Sequence, residues 1–233
     1  MRAASMVAVE LIEDGARIGL GSGRTVGHFL ALLGERCRQG LRVQGVPTSR
    51  QTAGEATRQG IPLIELTSDL PLDLTIDGAD EVSPSLDLIK GWGGALVRER
   101  IVAAASRRQI VVVDDQKLVA RLGSRGRLPV EVIPFAQALV MKRMAEMGLT
   151  PRLRMDADGR APFLSDGGGS IIDCALAGSL SPAAARELEA SLLAIPGVID
   201  TGLFLGTAER VLAGHQDGTV TTLWPAVEAD HDA

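Results

Sequence analysis

The amino-acid sequence predicts an α/β protein, with a mainly parallel, Rossmann-like sheet domain and a smaller ferredoxin-like α+β domain. Three observations lead there. Apolar strand-like runs alternate with helical patterns from the N-terminus to about residue 118, the rhythm of βαβ units. From Leu128 to Leu205 the order becomes βαββαβ, the split-βαβ arrangement. Two last strand-like runs, Arg210 to Leu212 and Thr219 to Leu223, fit a return to the first sheet. A length of 233 residues accommodates this division, with residues 1–126 plus 206–233 in the Rossmann-like domain and 127–205 in the smaller one.

Each element has a local reason. Ala3 to Ile12 reads as an amphipathic helix stopped at Asp14-Gly15, and Arg17 to Leu20 as a strand. Thr25 to Arg38 is helical, because Phe29, Leu30, Leu32 and Leu33 share one face and Gly40 ends it. Leu41 to Val46 is a strand, a helix follows to Gly60, and Ile61 to Leu66 is another strand. Leu74 to Ile76 and Leu86 to Ile89 are short strands, Gly94 to Ser106 is a helix, and Ile110 to Val113 is a fully apolar strand. In the second domain Val130 to Ile133 is a strand and Phe135 to Met147 a helix closed by Gly148. Thr150 to Met155 is a strand, Asp156 to Gly159 a turn, and Ser170 to Cys174 a strand. Ser181-Pro182 starts a helix that ends before Pro196-Gly197, and Val198 to Leu205 is the closing strand. A polar tail follows Pro225.

Composition narrows the function classes. A formal charge of −5 gives no basic field for nucleic acid or an acidic membrane surface. Aromatics are 3% with no Tyr, which leaves no stacking platform for bases. An anionic substrate stays compatible, since a few local donors suffice to hold a phosphate. The N-terminal apolar run is interrupted by Glu10 and reads as a helix, with neither signal peptide nor membrane span. Cys37 and Cys174 have no framework spacing, and His28, His215 and His231 form no ligand cluster. The expected setting is cytoplasmic and reducing. Among 24 basic residues only Lys90, Lys117 and Lys142 are lysines, so a lysine here marks a place where a compact ammonium can matter.

Five segments could carry chemistry. Gly21-Ser22-Gly23-Arg24-Thr25 joins a strand to a helix and offers amides, hydroxyls and a helix N-terminus to an anion, although it matches neither the dinucleotide nor the P-loop fingerprint. By itself it reads equally as a tight glycine turn. Pro47-Thr48-Ser49-Arg50 follows a strand and reads first as a helix cap at Ser49. Asp77-Gly78-Ala79-Asp80-Glu81 packs three carboxylates into five residues, which requires cations nearby or an ordinary solvated turn. Lys90-Gly91-Trp92-Gly93-Gly94 puts a cation and an amide-rich turn ahead of a helix carrying Glu99, the set needed to make and stabilise an enediolate. Glu99 between Arg98 and Arg100 also fits a solvated surface carboxylate. Val113-Asp114-Asp115-Gln116-Lys117 sets a second rare lysine beyond an apolar strand. All five fall at one type of strand end, where ligands of parallel sheets sit.

These blocks resemble type A ribose-5-phosphate isomerase. The resemblance rests on Thr75 to Val82, Ile89 to Leu96, Arg98-Glu99 and Leu128 to Pro134, with Gly21-Ser22-Gly23, Pro47-Thr48-Ser49 and Ile195 to Val198, in the family's order from about residue 15 to 223. It implies Glu99 as the base that moves a proton between C2 and C1. It implies Asp77, Asp80 and Lys90 for ring opening and the hydroxyl and oxyanion groups. Ser22, Gly23, Arg24, Thr25 and Lys117 would hold the substrate, chiefly its phosphate, with Gly78, Ala79, Gly91, Trp92 and Gly93 completing the pocket. It further implies no metal, no cofactor and a homodimer or higher homo-oligomer acting on a small sugar phosphate in the non-oxidative pentose phosphate pathway. Arg24 and Trp92 depart from the family pattern, standing where a small hydroxyl residue and a glycine are usual. Two other readings are a hexosamine-phosphate deaminase-like enzyme and a non-catalytic sugar-phosphate sensor. A sensor needs an effector module, and no helix-turn-helix segment or basic stripe is left over.

Overall fold

The computed structural model describes residues 1–67, 71–176 and 178–225, so the polar tail after Pro225, with His231, lies outside the described residues. Helix α1 (Arg2–Glu10) leads into β1 (Ala16–Leu20), α2 (Arg24–Arg38), β2 (Val43–Pro47), α3 (Arg50–Arg58) and β3 (Leu74–Asp77). Two short strands, β4 (Glu81–Val82) and β5 (Leu88–Ile89), precede α4 (Leu96–Ala104) and β6 (Gln109–Asp114). The smaller unit runs β7 (Arg127–Val132), α5 (Gln137–Glu146), β8 (Thr150–Leu153), β9 (Ser170–Ala175), α6 (Pro182–Leu193) and β10 (Val198–Thr201). The chain then returns through β11 (Leu203–Phe204), β12 (Arg210–Gly214) and β13 (Val220–Leu223).

The main sheet has the order β13-β12-β6-β3-β1-β2, parallel except for the edge strand β13. Both faces are covered, which is why Ile110 to Val113 of β6 are all apolar. Ile110 and Val112 pack with Phe29, Leu30 and Leu33 of α2, while Val111 and Val113 pack with Leu88, Leu96 and Phe204 on the other side. The second sheet, β10-β7-β9-β8, is antiparallel, with β7 and β8 flanking β9 as a split βαβ requires. Val130, Val132, Ile172 and Cys174 bury one face of it against Val140, Met144 and Leu192 of its two helices. A third antiparallel sheet, β11-β5-β4, ties the two units together beside the carboxyl ends of the parallel strands.

Three strand expectations need correction. Ile61 to Leu66 is no sheet strand and contributes a single bridge, Leu63 to Gly45; Pro62, with no N–H to donate, only accepts there. Leu86 sits at φ 60° in a turn, so the strand begins at Leu88. The closing run breaks at Gly202, where a Cβ would lie 2.4 Å from the Lys90 carbonyl oxygen, and β10 and β11 consequently join different sheets. The Lys90 turn therefore follows a strand of the small linking sheet, whereas the segments after β1, β3 and β6 do sit at ends of the main sheet.

Candidate active site

The turn after β1 is shaped to expose amides. The Gly21 N–H donates to the Ile76 carbonyl at 2.9 Å, and a Cβ on Gly21 would lie 2.1 Å from Asp77 Oδ1. Gly23, at φ 99°, is the N-cap of the fifteen-residue α2, so Arg24 and Thr25 open a helix whose positive end faces the cleft. Ser22 Oγ is anchored at 2.8 Å to Thr48 Oγ1 and 2.9 Å to Ser49 Oγ. Pro47-Thr48-Ser49 thus supports the turn from behind without lining the cleft, and Ser49 also caps α3 by accepting from the Thr52 N–H.

The three crowded carboxylates of residues 77–81 point to three different partners. Asp77, fully buried, accepts from the Ser22 and Gly78 N–H groups through Oδ1 and sets Oδ2 at 2.9 Å from Lys90 Nζ. Asp80 accepts from the Trp92 N–H at 2.9 Å. Glu81, also fully buried, accepts from the Gly123 and Arg125 N–H groups and fixes that loop rather than the site.

Lys90 is the hub. Only 2% exposed, its Nζ donates to the Gly78 carbonyl at 2.5 Å and lies 3.2 Å from Glu99 Oε2, with the Phe204 ring beneath at 5.4 Å. Burial alone would lower the Lys90 pKa, but Asp77 and then Glu99 outweigh it and raise the pKa above its usual range, so the proton stays. Glu99 responds the other way. Its burial in the first turns of α4, reinforced by the Asp77 charge, pushes its pKa well above the usual carboxylate range, and Lys90 only partly opposes this. Apart from the Lys90 ammonium, Glu99 Oε2 has no polar partner among the described residues, so one carboxylate oxygen keeps lone-pair capacity for a substrate proton. Arg98 and Arg100 do not neutralise it: Arg98 reaches the Pro47 carbonyl, and Arg100 binds Asp200 and the Thr201 and Leu203 carbonyls. The solvated-surface reading of Glu99 is therefore wrong.

These groups meet in a cleft of about 490 Å³. Ser22, Gly23, Arg24 and Thr25 line it together with Gly78, Ala79 and Asp80. Lys90, Gly91, Trp92, Gly93, Glu99 and Lys117 line it as well. Asp77 does not line it; the carboxylate lies behind Lys90. Burial, ahead of the opposing Trp92 amide and Lys90 charge, raises the Asp80 pKa. Lys117 forms no ion pair among the described residues; its Nζ lies 5.4 Å from the Trp92 ring centroid. The cleft also holds Met1, His28 and Asp114. His28 could have been found from its spacing, one helical turn after Thr25, and Asp114 from its place at the end of β6. No sequence signal pointed to Met1. Among the described residues no group of three or more His, Cys, Asp or Glu side chains could hold a metal ion.

A proton-bearing ammonium, an elevated carboxylate and unpaired amides around one cavity can take a proton from carbon beside a carbonyl and hold the resulting anion. Comparison with known proteins points the same way. The sequence profile of ribose 5-phosphate isomerase A (phosphoriboisomerase A) matches residues 44–218. Ribose-5-phosphate isomerase A of Gloeobacter violaceus is 50% identical over 212 residues, covering 91% of this chain and 90% of the relative. That of Nitrobacter hamburgensis is 51% identical over 222 residues, covering 92% and 94%. The Methanocaldococcus jannaschii structure of ribose 5-phosphate isomerase A superposes with a TM-score of 0.88 at 39% identity, covering 96% of this chain and 97% of that one. A D-ribose-5-phosphate isomerase in complex with phospho-erythronic acid gives 0.90 at 37% identity, covering 96% of each chain.

Proposed function

The chain belongs to the ribose 5-phosphate isomerase A family and interconverts D-ribose 5-phosphate and D-ribulose 5-phosphate, and we propose that Glu99 is the base that moves the proton. The observation that carries this is the buried Glu99 carboxylate, whose Oε2 has the Lys90 ammonium as its one polar partner among the described residues, in the lining of the cleft. Glu99 takes the C2 proton of the open-chain aldose, and the electron pair moves through C1 onto O1. The hydroxyl proton on O2 passes to O1, C2 becomes the carbonyl carbon, and Glu99 returns its proton to C1. Lys90 and the Gly91 and Gly93 amides stabilise the charge on the enediolate; neither amide has an internal acceptor among the described residues. Asp77 acts from behind the cleft by keeping Lys90 protonated. Asp80, which lines the cleft with a raised pKa, opens the sugar ring.

The phosphate sits at the Ser22–Thr25 turn, held by the α2 N-terminus, Arg24 and Lys117. The phospho-erythronic acid bound by a relative is itself a phosphorylated sugar acid, the ligand class this reading expects. We assign residues 1–126 plus 206–233 to the catalytic domain and 127–205 to the smaller one. We place the enzyme in the cytoplasm and in the non-oxidative pentose phosphate pathway. We also read it as a homodimer or higher oligomer, for which the exposed Ile133, Phe135 and Leu139 supply apolar surface. Isomerisation in D₂O tests the base. The parent should incorporate solvent deuterium at carbon, and Glu99→Gln should lose exchange and turnover together; retained exchange would assign the base elsewhere.

A further inference from the structure

A residue absent from the cleft lining reaches the turn that forms part of it. Arg154 lies just past β8 in the antiparallel sheet, and its guanidinium is only 12% exposed. Nε donates to Asp173 Oδ2 at 2.8 Å and Nη2 to Oδ1, a bidentate pair that fixes the plane of the fork. The remaining nitrogen, Nη1, crosses to the catalytic turn and donates to the Gly91 carbonyl at 3.3 Å and the Trp92 carbonyl at 3.1 Å. Phe163, beneath Arg154 at 5.8 Å, presses on the same turn, since a Cβ on Gly94 would lie 2.5 Å from its ring.

We propose that Arg154 is a positioning residue that holds and polarises the Gly91–Gly93 turn so that its amides meet the anionic intermediate. The inference rests on the turn's role in the reading above. A carbonyl and the following N–H belong to one peptide unit, so a cation on the carbonyl strengthens that N–H as a donor. The Gly91 carbonyl shares its peptide with the Trp92 N–H, which holds Asp80. The Trp92 carbonyl shares its peptide with the Gly93 N–H, which lines the cleft without an internal acceptor. Arg154 thereby acts on both the acid and the anion site while touching neither reacting carbon.

The test compares the parent with Arg154→Met and Asp173→Asn, titrating inorganic phosphate and phospho-erythronic acid and measuring kcat and KM. Arg154→Met should lower kcat by about tenfold or more, short of the ~10²–10³-fold lost with a direct oxyanion donor. The preference for the acid over phosphate should fall in parallel, with phosphate affinity kept within about twofold. Asp173→Asn, which loosens the fork, should move both in the same direction by less. A folded Arg154→Met with unchanged kcat and preference overturns the proposal. Should that variant fail to fold, normal kinetics in Arg154→Lys and Asp173→Asn would overturn it equally. A parent that shows no preference for the acid would instead overturn the assigned role of the turn.

Discussion

Two glycine turns line the one cleft and follow opposite electrostatic plans. The Ser22–Thr25 turn is open: Gly23 and Arg24 are exposed, and what it offers is amides, a hydroxyl and a helix end. The Lys90–Gly94 turn borders a desolvated cluster, with Asp77, Lys90 and Glu99 each at most 5% exposed. A phosphate stays a dianion throughout the reaction, so an exposed grip binds substrate and transition state alike and chiefly sets KM. The proton abstraction creates charge, and only groups shielded from water have the shifted pKa values and strong fields that such a step uses. Substitutions on the two sides should therefore separate binding from turnover.

The largest effect is expected on the buried side. Glu99→Gln keeps shape but has no basic oxygen, and should lower kcat by ~10²–10⁴-fold, about 3–5 kcal/mol of barrier. KM should move little; a variant within tenfold of the parent would break the contrast. The pH profile sharpens it. Because burial, with Asp77, raises the Glu99 pKa, kcat/KM should climb with pH through a value above the ordinary ~4.3 of glutamate. Stability runs opposite. A raised folded pKa favours the neutral form, so the stability it contributes is full in acid and declines as pH rises from ~4.3 through the folded value. Thermal melts across that window should show Glu99→Gln gaining on the parent as pH increases.

Next in size is Lys90→Met. Removing the ammonium leaves Asp77 and Glu99 buried together, and breaking such a cluster from one side costs about 3–5 kcal/mol. Denaturant unfolding should show that loss at neutral pH and recovery toward the parent in acid, where a carboxylate can protonate. A stable variant at neutral pH would show that the cluster is hydrated.

The order of elements was readable because the helical and strand periodicities are strong, and the split-βαβ order of residues 127–205 gave the antiparallel sheet before any contact was known. What local pattern could not supply was tertiary placement. Glu99 between two arginines looks solvated, and only the departure of Arg100 to Asp200 and the Thr201 carbonyl shows why it is buried. Asp77, Asp80 and Glu81 read as one acidic cluster, yet the backbone turns them onto Lys90, Trp92 and the 123–125 loop. The extra break at Gly202 follows from a backbone approach to Lys90 that no hydropathy pattern encodes.

On the open side the effects should be smaller and fall on binding. Lys117 lines the cleft with no carboxylate partner among the described residues, so its charge is available to phosphate. Lys117→Ala should weaken phosphate and raise KM by about 1–3 kcal/mol, the range for a lost charge-assisted contact, with kcat within a few-fold. A kcat loss matching that of Glu99→Gln would erase the distinction between the turns.

The smallest effect is expected at Trp92, which touches both plans. Its N–H holds Asp80, its indole Nε1 donates to the Arg127 carbonyl at 3.1 Å, and its ring lies 4.9 Å from the Arg127 guanidinium and 5.4 Å from Lys117 Nζ. The side chain is half-buried, so its removal opens no core cavity. Trp92→Gly keeps the backbone amide and loses one hydrogen bond and two partly exposed cation–π contacts, a stability cost of about 1–2 kcal/mol. Freed from the ring, Lys117 loses its seat in the cleft, and KM should rise several-fold while kcat stays near the parent because Asp80 retains its donor. Kinetics and melts on the same preparation decide between two roles. A rise in KM with a small Tm change makes Trp92 the wall that seats the phosphate cation. A large Tm drop with unchanged KM makes it a packing residue, and Lys117 is then positioned by something other than the indole.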